Sequence, residues 1–468
     1  MHITEIGYIL ISICFILFCI APSYLYVLMV FFIPFSATAI VNLDVSSTSS
    51  GLPAYMFIGS VWISSLVLRI AATGNIAIPR ESRMPLMLLT VFIGTAMLSL
   101  FMPVYINGSL SVKSPVLFDT KETPLLFNIK HLTQTLYLLF GGLITIFVVK
   151  KNSTHNQILS SIRIYVLSGF FVSLWGIMQF ILNILNIPYP YAVFNNSVTA
   201  SAQGFHQELG NLAIKRVSSV AVEPSILSQY LLTLVPLLFF AIFRRTPVIT
   251  ASFDKMCLFL IICVLLISTS STAYYGLLIT WAVIFIMLYF MCLLRLRHLI
   301  YIMGLLIVVI SSLFIVPGIP ALLNDLLIAK TTSYSGMERL QSINVAWGYF
   351  LQYPLLGIGW GSVTSHDLVV KILSNAGLLG IIAFGAFMFY VVIRHFAGLE
   401  CFPRDKEFSE ILHLNSALFV SIFVLLINNL LTGFAFMFGH VWFVIAISIA
   451  VTGLMRRSNP RNSSITGG

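Results

Sequence analysis

The stretch VEPSILSQYLLTLVPLLFFAIFRR, residues 222–245, decides the fold class. It opens on Glu223-Pro224, continues without a charge to Phe243 and stops at Arg244-Arg245. About 20 such residues, rising 1.5 Å each as a helix, match the ~30 Å hydrocarbon core of a bilayer. A helix is also the form that satisfies its own backbone where no water is present.

Working outward, the same pattern recurs along the chain, and we place spans at 6–20, 23–42, 53–72, 84–104, 126–149, 163–187, 222–243, 256–269, 273–294, 299–316, 369–393, 411–432 and 436–455. The composition agrees: the 468 residues are 59% hydrophobic and 9% charged, and mean hydropathy is +1.01. A water-soluble domain carries about 25% charged residues. The expectation is an all-α polytopic membrane protein of about thirteen (twelve to fourteen) helices, with 6–20 and 256–269 as the short spans. Residues 1–455 form one integral membrane domain, since no stretch between apolar runs approaches the usual ~100–150 residues of a domain. Residues 456–468 read as a flexible cytoplasmic tail. The first apolar run has no basic region before it and leads directly into a second, unlike a cleavable signal. Five of the six cysteines fall in apolar runs and none forms a CxxC pair, which indicates neither a disulfide framework nor a zinc site.

Charge sets the orientation. Seventeen of the 25 Lys and Arg residues fall in or beside one alternate set of connections: Arg69, Arg80, Arg83, Lys150, Lys151, Arg163, Arg244, Arg245, Lys255, Arg295, Arg297, Arg394, Arg404, Lys406, Arg456, Arg457 and Arg461. Basic connections mark the cytoplasmic side. The net charge of +10 is thus a membrane-anchoring pattern facing anionic lipid, and nucleic acid is not implied.

On the opposite, outer side two loops stand out, 188–221 and 317–368. The first ends at Arg216 and leads to Glu223-Pro224-Ser225. Proline suits the first turn of a helix, so Glu223 sits at the helix entrance beside the positive dipole end. An acid there can act as a simple cap. With Arg216, Ser225, Ser228 and Gln229 it forms a polar strip entering an apolar span, where polar residues face protein or water. In the second loop Leu340, Ile343, Trp347 and Phe350 fall at helical spacing, with Arg339, Gln341, Ser342 and Asn344 on the other face. This reads as an interfacial amphipathic helix ended by Pro354. Gly357, Gly359 and Gly361 then make a turn that brings His366 to the mouth of the next span. Arg216 and Arg339 are each the single arginine of their loop, on the face that the charge rule leaves poor in cations. The planar guanidinium suits phosphate, although an interfacial cation can also snorkel. A histidine at a loop–helix junction can relay a proton or cap the helix. Gly377 and Gly380 read as close helix packing, and the Ser268–Thr272 hydroxyls as satisfying a turn. Neither a nucleotide-binding loop nor an outer pair of carboxylates is present, so phosphate chemistry here leans on arginines, with no metal.

Taken in order, these features resemble the O-antigen polymerase and ligase superfamily of bacterial envelope enzymes: an outer-loop Arg leading to VEPS, a Ser/Thr-rich turn, a large outer loop with an Arg-bearing amphipathic helix and PLLGIGWGS, then His366-x10-Gly377-x2-Gly380. The resemblance covers roughly 203–395. It implies a glycosyltransferase C-like fold in the bacterial inner membrane, an active face in the periplasm, and undecaprenyl-diphosphate-linked oligosaccharide as donor and acceptor. Membrane lipids and a chain-length regulator protein are the other implied partners, and no cofactor is expected. The VEPS segment resembles the polymerases, and the departure at Asp367 weighs against the ligase motif. The expected activity is therefore polymerisation of repeat units into O-antigen or a related surface polysaccharide. Alternatives are transfer of the glycan to lipid A core by a ligase, and lipid-linked oligosaccharide transport by a flippase. In this reading Arg216 and Arg339 hold the diphosphate, His366 is the first candidate for general base and Glu223 the second. Ser225, Gln229, Tyr274 and Trp360 are candidate substrate-lining residues.

Overall fold

An apolar chain in contact with lipid closes its backbone hydrogen bonds within each helix, and helices dominate the computed structural model. It describes residues 2–45, 48–74, 78–114, 121–198, 205–209, 212–291, 334–399, 406–433 and 435–458. In chain order the elements are β1 (His2–Ile3), α1 (Glu5–Ile20), α2 (Ser23–Phe32), β2 (Ala39–Val45), β3 (Thr48–Pro53), α3 (Ala54–Thr73), α4 (Arg83–Ser99) and α5 (Phe101–Ile106). Next come β4 (Ser111–Lys113), β5 (Glu122–Pro124), α6 (Ile129–Lys151), α7 (His155–Ile184), α8 (Tyr191–Phe194), β6 (Phe205–Leu209), β7 (Leu212–Arg216), α9 (Pro224–Phe243), α10 (Ala251–Ile267) and α11 (Ser271–Phe290). The last four are α12 (Tyr334–Gln352), α13 (Leu368–Leu399), α14 (Lys406–Thr432) and α15 (Gly439–Ser458).

Among the described residues nine helices are long and apolar enough to cross a membrane, which makes this a polytopic membrane protein. The expected span 299–316 and the first part of the loop 317–368 lie outside the described residues. One expected span is corrected. The apolar run 23–42 does not continue as a helix, because α2 ends at Phe32 and Pro34 has no N–H to extend it. Residues Ala39–Val45 instead pair antiparallel with Thr48–Pro53 and with His2–Ile3. The chain is therefore helical with short sheets at one end, β4–β5 and β6–β7 being two further hairpins.

Helices α9, α14 and α15 form the centre, with 83%, 78% and 89% of their spanning windows buried. Around them large apolar side chains such as Phe15, Phe259, Phe290 and Phe389 point outward. In a lipid-facing protein that exposure carries no hydrophobic penalty.

One helix is broken and interlocked with a loop. Inside α13, Gly377 adopts φ 65°, ψ −162°, a conformation open essentially to glycine alone. The Leu378 and Leu379 amides donate to the carbonyls of Pro354 and Leu355, while the Ile358 and Gly359 amides donate to Ser374 and Asn375. The turn 354–359 thus takes up backbone groups that the break would leave unpaired, as a buried helix interruption requires. Asn375 completes the lock: its Oδ1 accepts from the Gly361 and Val363 amides and its Nδ2 donates to the Val363 carbonyl. Gly377 is therefore a backbone device, a more specific role than the close helix packing expected from sequence, while Gly357, Gly359 and Gly361 lie in a turn as expected.

Candidate functional site

The segment 217–223 is a strap pulled down into the bundle, and its backbone shows why. Gln179, buried within α7, accepts from the amides of Ser218 and Ser219 at 3.0 and 2.7 Å. The Ser219 carbonyl accepts from Tyr189 Oη and Asn195 Nδ2, and its hydroxyl donates to the Val172 carbonyl. The Ala37 amide donates to Val220, and the Val222 amide donates to the Ser36 hydroxyl. Three separate regions thus hold the strap, with Arg216 at its upper end and Glu223 at its lower end. Pro224 occupies the first turn of α9 as expected, yet the Glu223 side chain makes no capping bond. Its Oε2 accepts from the Ser225 hydroxyl at 3.0 Å, so the cap reading does not describe this carboxylate.

The second half of the site comes from α12 and the start of α13. Helix α12 is amphipathic as expected: Met337, Leu340, Trp347 and Leu351 are exposed, while Ser342, Ala346 and Tyr349 are buried. The buried face packs on Ile106, Leu125, Ile358 and Val363, and the Tyr349 hydroxyl is tied to the β4 backbone. Ser342 binds His366 directly, its Oγ lying 2.9 Å from Nδ1 and 3.3 Å from the His366 amide, and it also donates to the Arg339 carbonyl at 2.7 Å. A serine hydroxyl has one proton and two lone pairs. With the proton on Arg339 O, Nδ1–H donates to Ser342 and Nε2 is the acceptor; with the proton turned to Nδ1, the neutral ring carries its hydrogen on Nε2. Asp367 caps α13 by accepting from the Val370 amide, a local helix-start role.

These pieces converge at one end of the bundle. Arg216 interacts electrostatically with Glu223, Arg339 and Tyr274; Arg339 interacts with Glu223 and Glu338. Glu223 is therefore the shared counter-charge of two arginines that come from different loops. Burial lowers both guanidinium pKa values and Glu223 opposes that shift. The Arg216 Nε is buried with no hydrogen-bond partner among the described residues, a donor left for an anion. His366 is pushed down to about 4, first by burial and then by Arg339 and Lys371, so it is neutral at pH 7.

Of the four further candidates, Ser225 holds Glu223 and Tyr274 neighbours Arg216. Gln229 is buried and bonded to Thr432 at 2.7 Å, which makes it an inter-helix contact beneath the site. Trp360 is corrected to a packing residue. It is 3% exposed, its indole N–H donates to the Gln134 carbonyl, and its ring packs on Phe92 and Phe436. Lys371 was not singled out by sequence. It lies just past the first turn of α13, donates to the Gly433 carbonyl at 2.8 Å and faces the Phe436 ring. Its signal is the one that marked the arginines, a cation at the end of the bundle where the charge rule expects few. Among the described residues no group of three or more His, Cys, Asp or Glu side chains is arranged to hold a metal ion.

The arrangement offers two cations near a common carboxylate and a neutral imidazole, chemistry suited to a phosphate-bearing ligand with a hydroxyl to be deprotonated. Comparison with models of known protein families and with curated proteins gives no match to this chain.

Proposed function

We propose that this chain joins oligosaccharide repeat units carried on a lipid diphosphate, as an O-antigen-type polymerase with a glycosyltransferase C-like arrangement. The observation that supports the reading is that Arg216 and Arg339, from different loops, both interact electrostatically with Glu223, and Arg339 with His366. In the proposed step the acceptor hydroxyl oxygen attacks the anomeric carbon of the donor. The bond from that carbon to the phosphate oxygen breaks, and the electron pair leaves with the lipid diphosphate. Arg216 and Arg339 bind the charge that develops there, which is what preorganised donors do best. The hydroxyl proton passes to the neutral imidazole of His366, which Ser342 holds in place.

The low basicity of His366 fits this sequence of events. Burial, then Arg339 and Lys371, disfavour the imidazolium. A diphosphate bound to the arginines cancels part of that field and raises the affinity of His366 for a proton. Proton acceptance is thereby coupled to an occupied donor site. Glu223 acts as counter-charge to the arginines and positions them.

The test is purified protein with a lipid-linked repeat unit, read as ladder formation. We expect Arg216→Ala and Arg339→Ala to abolish the ladder while the protein still inserts, with Lys rescuing only partly because it loses the fork. His366→Gln is expected to reduce turnover by about 10²–10⁴-fold. Full activity of both alanine variants would refute the proposal. Transfer to a lipid A core acceptor without a ladder would move the assignment to ligase.

A further inference from the structure

A second charged site lies at the far end of the bundle. Helix α6, 23 residues long, carries Lys130 near one end and Lys150 and Lys151 at the other, a separation of about 30 Å. At that basic end the termini of α1, α2, α3, α6, α7 and α15 surround an open cavity of about 1220 Å³. Its polar lining includes Arg69, Arg80, Lys150, Lys151, Arg457 and Glu81. Leu66, Ile70 and Phe147 form an apolar wall on the same cavity. Glu81 is the one carboxylate in this lining, and it is engaged by Arg457 at 2.6 Å.

Five cations border one volume, with a single carboxylate, Glu81, among its described lining residues, and a concave surface lined mainly by one sign of charge concentrates ions of the other. The cavity exceeds the ~300–1,000 Å³ typical of small-molecule sites, and it joins a basic rim to an apolar wall at the membrane boundary. Basic pockets between spanning helices on this side are the physical match for phosphate-bearing headgroups.

We propose that this cavity binds a phosphate-bearing ligand, whose phosphate sits among Arg69, Arg80, Lys150 and Lys151. The phosphate comes either from an anionic phospholipid headgroup or from a soluble diphosphate. The site is separate from the one built by Arg216, Arg339 and His366 and does not depend on its function.

The experiment uses the full chain in neutral detergent and follows thermal unfolding against added phosphatidylglycerol, phosphatidylcholine or inorganic pyrophosphate. We expect a saturable rise in the midpoint with phosphatidylglycerol or pyrophosphate and none with phosphatidylcholine. A response to phosphatidylglycerol alone assigns the headgroup, and a response to pyrophosphate assigns the soluble source. Arg69→Gln/Arg80→Gln and Lys150→Gln/Lys151→Gln are made separately, so that one pair reports if the other fails to insert. Each should raise the half-saturating concentration by at least about tenfold. The pair Arg244→Gln/Arg245→Gln, at the same end but outside this cavity, should leave it unchanged. No response to either phosphate compound, or an equal loss in the control pair, would overturn the proposal.

Discussion

Adding one methyl group to Gly377 tests the interlock that sets the position of His366. An ideal Cβ there would lie 2.2 Å from the Leu355 carbonyl oxygen and 2.5 Å from the Leu356 amide nitrogen. Both are backbone atoms of the turn inserted into the break, so neither can swing aside as a flexible side chain would. Alanine must also hold φ 65°, ψ −162°, which costs about 1–3 kcal/mol. Relief of the clash requires withdrawing the turn, and four backbone hydrogen bonds cross that joint. At ~1 kcal/mol net for each, losing even two brings the total to roughly 3–5 kcal/mol, more than a hundredfold in an equilibrium constant. The comparison is Gly385→Ala in the same helix, where nothing lies within 4 Å of the added carbon. That change should be neutral or slightly stabilising. Both variants are purified in detergent and their unfolding by heat and by denaturant is followed beside the parent protein. If Gly377→Ala unfolds together with Gly385→Ala, the interlock does not hold the fold as described. Should it unfold early, the same preparation is expected to lose function, since the turn leads directly to His366.

Two further outcomes follow from other contacts. Lys371→Gln removes a cation that disfavours the His366 imidazolium while keeping a donor for the Gly433 carbonyl. The His366 pKa should therefore rise slightly from about 4, because burial and Arg339, the larger causes of its depression, remain, and the histidine gains its proton at slightly higher pH on acidification. An NMR titration of labelled histidine, assigned by the signal missing in His366→Gln, reads this, and an unmoved titration counts against the geometry. Gln179→Leu strips the acceptor from two buried strap amides, each costing about 1–3 kcal/mol when unsatisfied. We expect a lowered unfolding midpoint that Gln179→Glu largely restores, whereas a parent-like Gln179→Leu would show that the strap is held elsewhere.

How much of this was legible in the sequence depends on the range of the interaction. The span-forming runs were plain because a helix in lipid is specified locally, by some 20 apolar residues and their charged ends. The run 23–42 misled because it is apolar throughout, and hydropathy does not distinguish a lipid-facing helix from a buried strand. Only Pro34 and the polar alternation of Asn42 and Asp44 mark the change. The broken helix was invisible for a related reason. Gly377 sits in a stretch that reads as continuous, and its conformation is set by a turn some twenty residues earlier in the chain.

Arg216 and Arg339 were singled out because they break a rule of the membrane, as cations at the end that the charge rule leaves poor in them. Lys371, another such cation, and Gln179, an amide inside an apolar helix, carry the same kind of signal and were passed over. Each exception carries a free-energy cost in isolation, so each must be offset by a partner. For Gln179 the partner is the strap backbone, and for Lys371 it includes the Gly433 carbonyl. For the two arginines Glu223 is a shared counter-charge, with Glu338 also beside Arg339, and Arg216 Nε has no hydrogen-bond partner among the described residues. What sequence could not supply was the sharing, because Arg216 and Arg339 lie on separate loops over a hundred positions apart. The two guanidiniums meet near Glu223, with Glu338 beside Arg339 as well, so what the distance along the chain hides is the meeting of the two loops, and the Arg216→Ala and Arg339→Ala variants probe that meeting from either side.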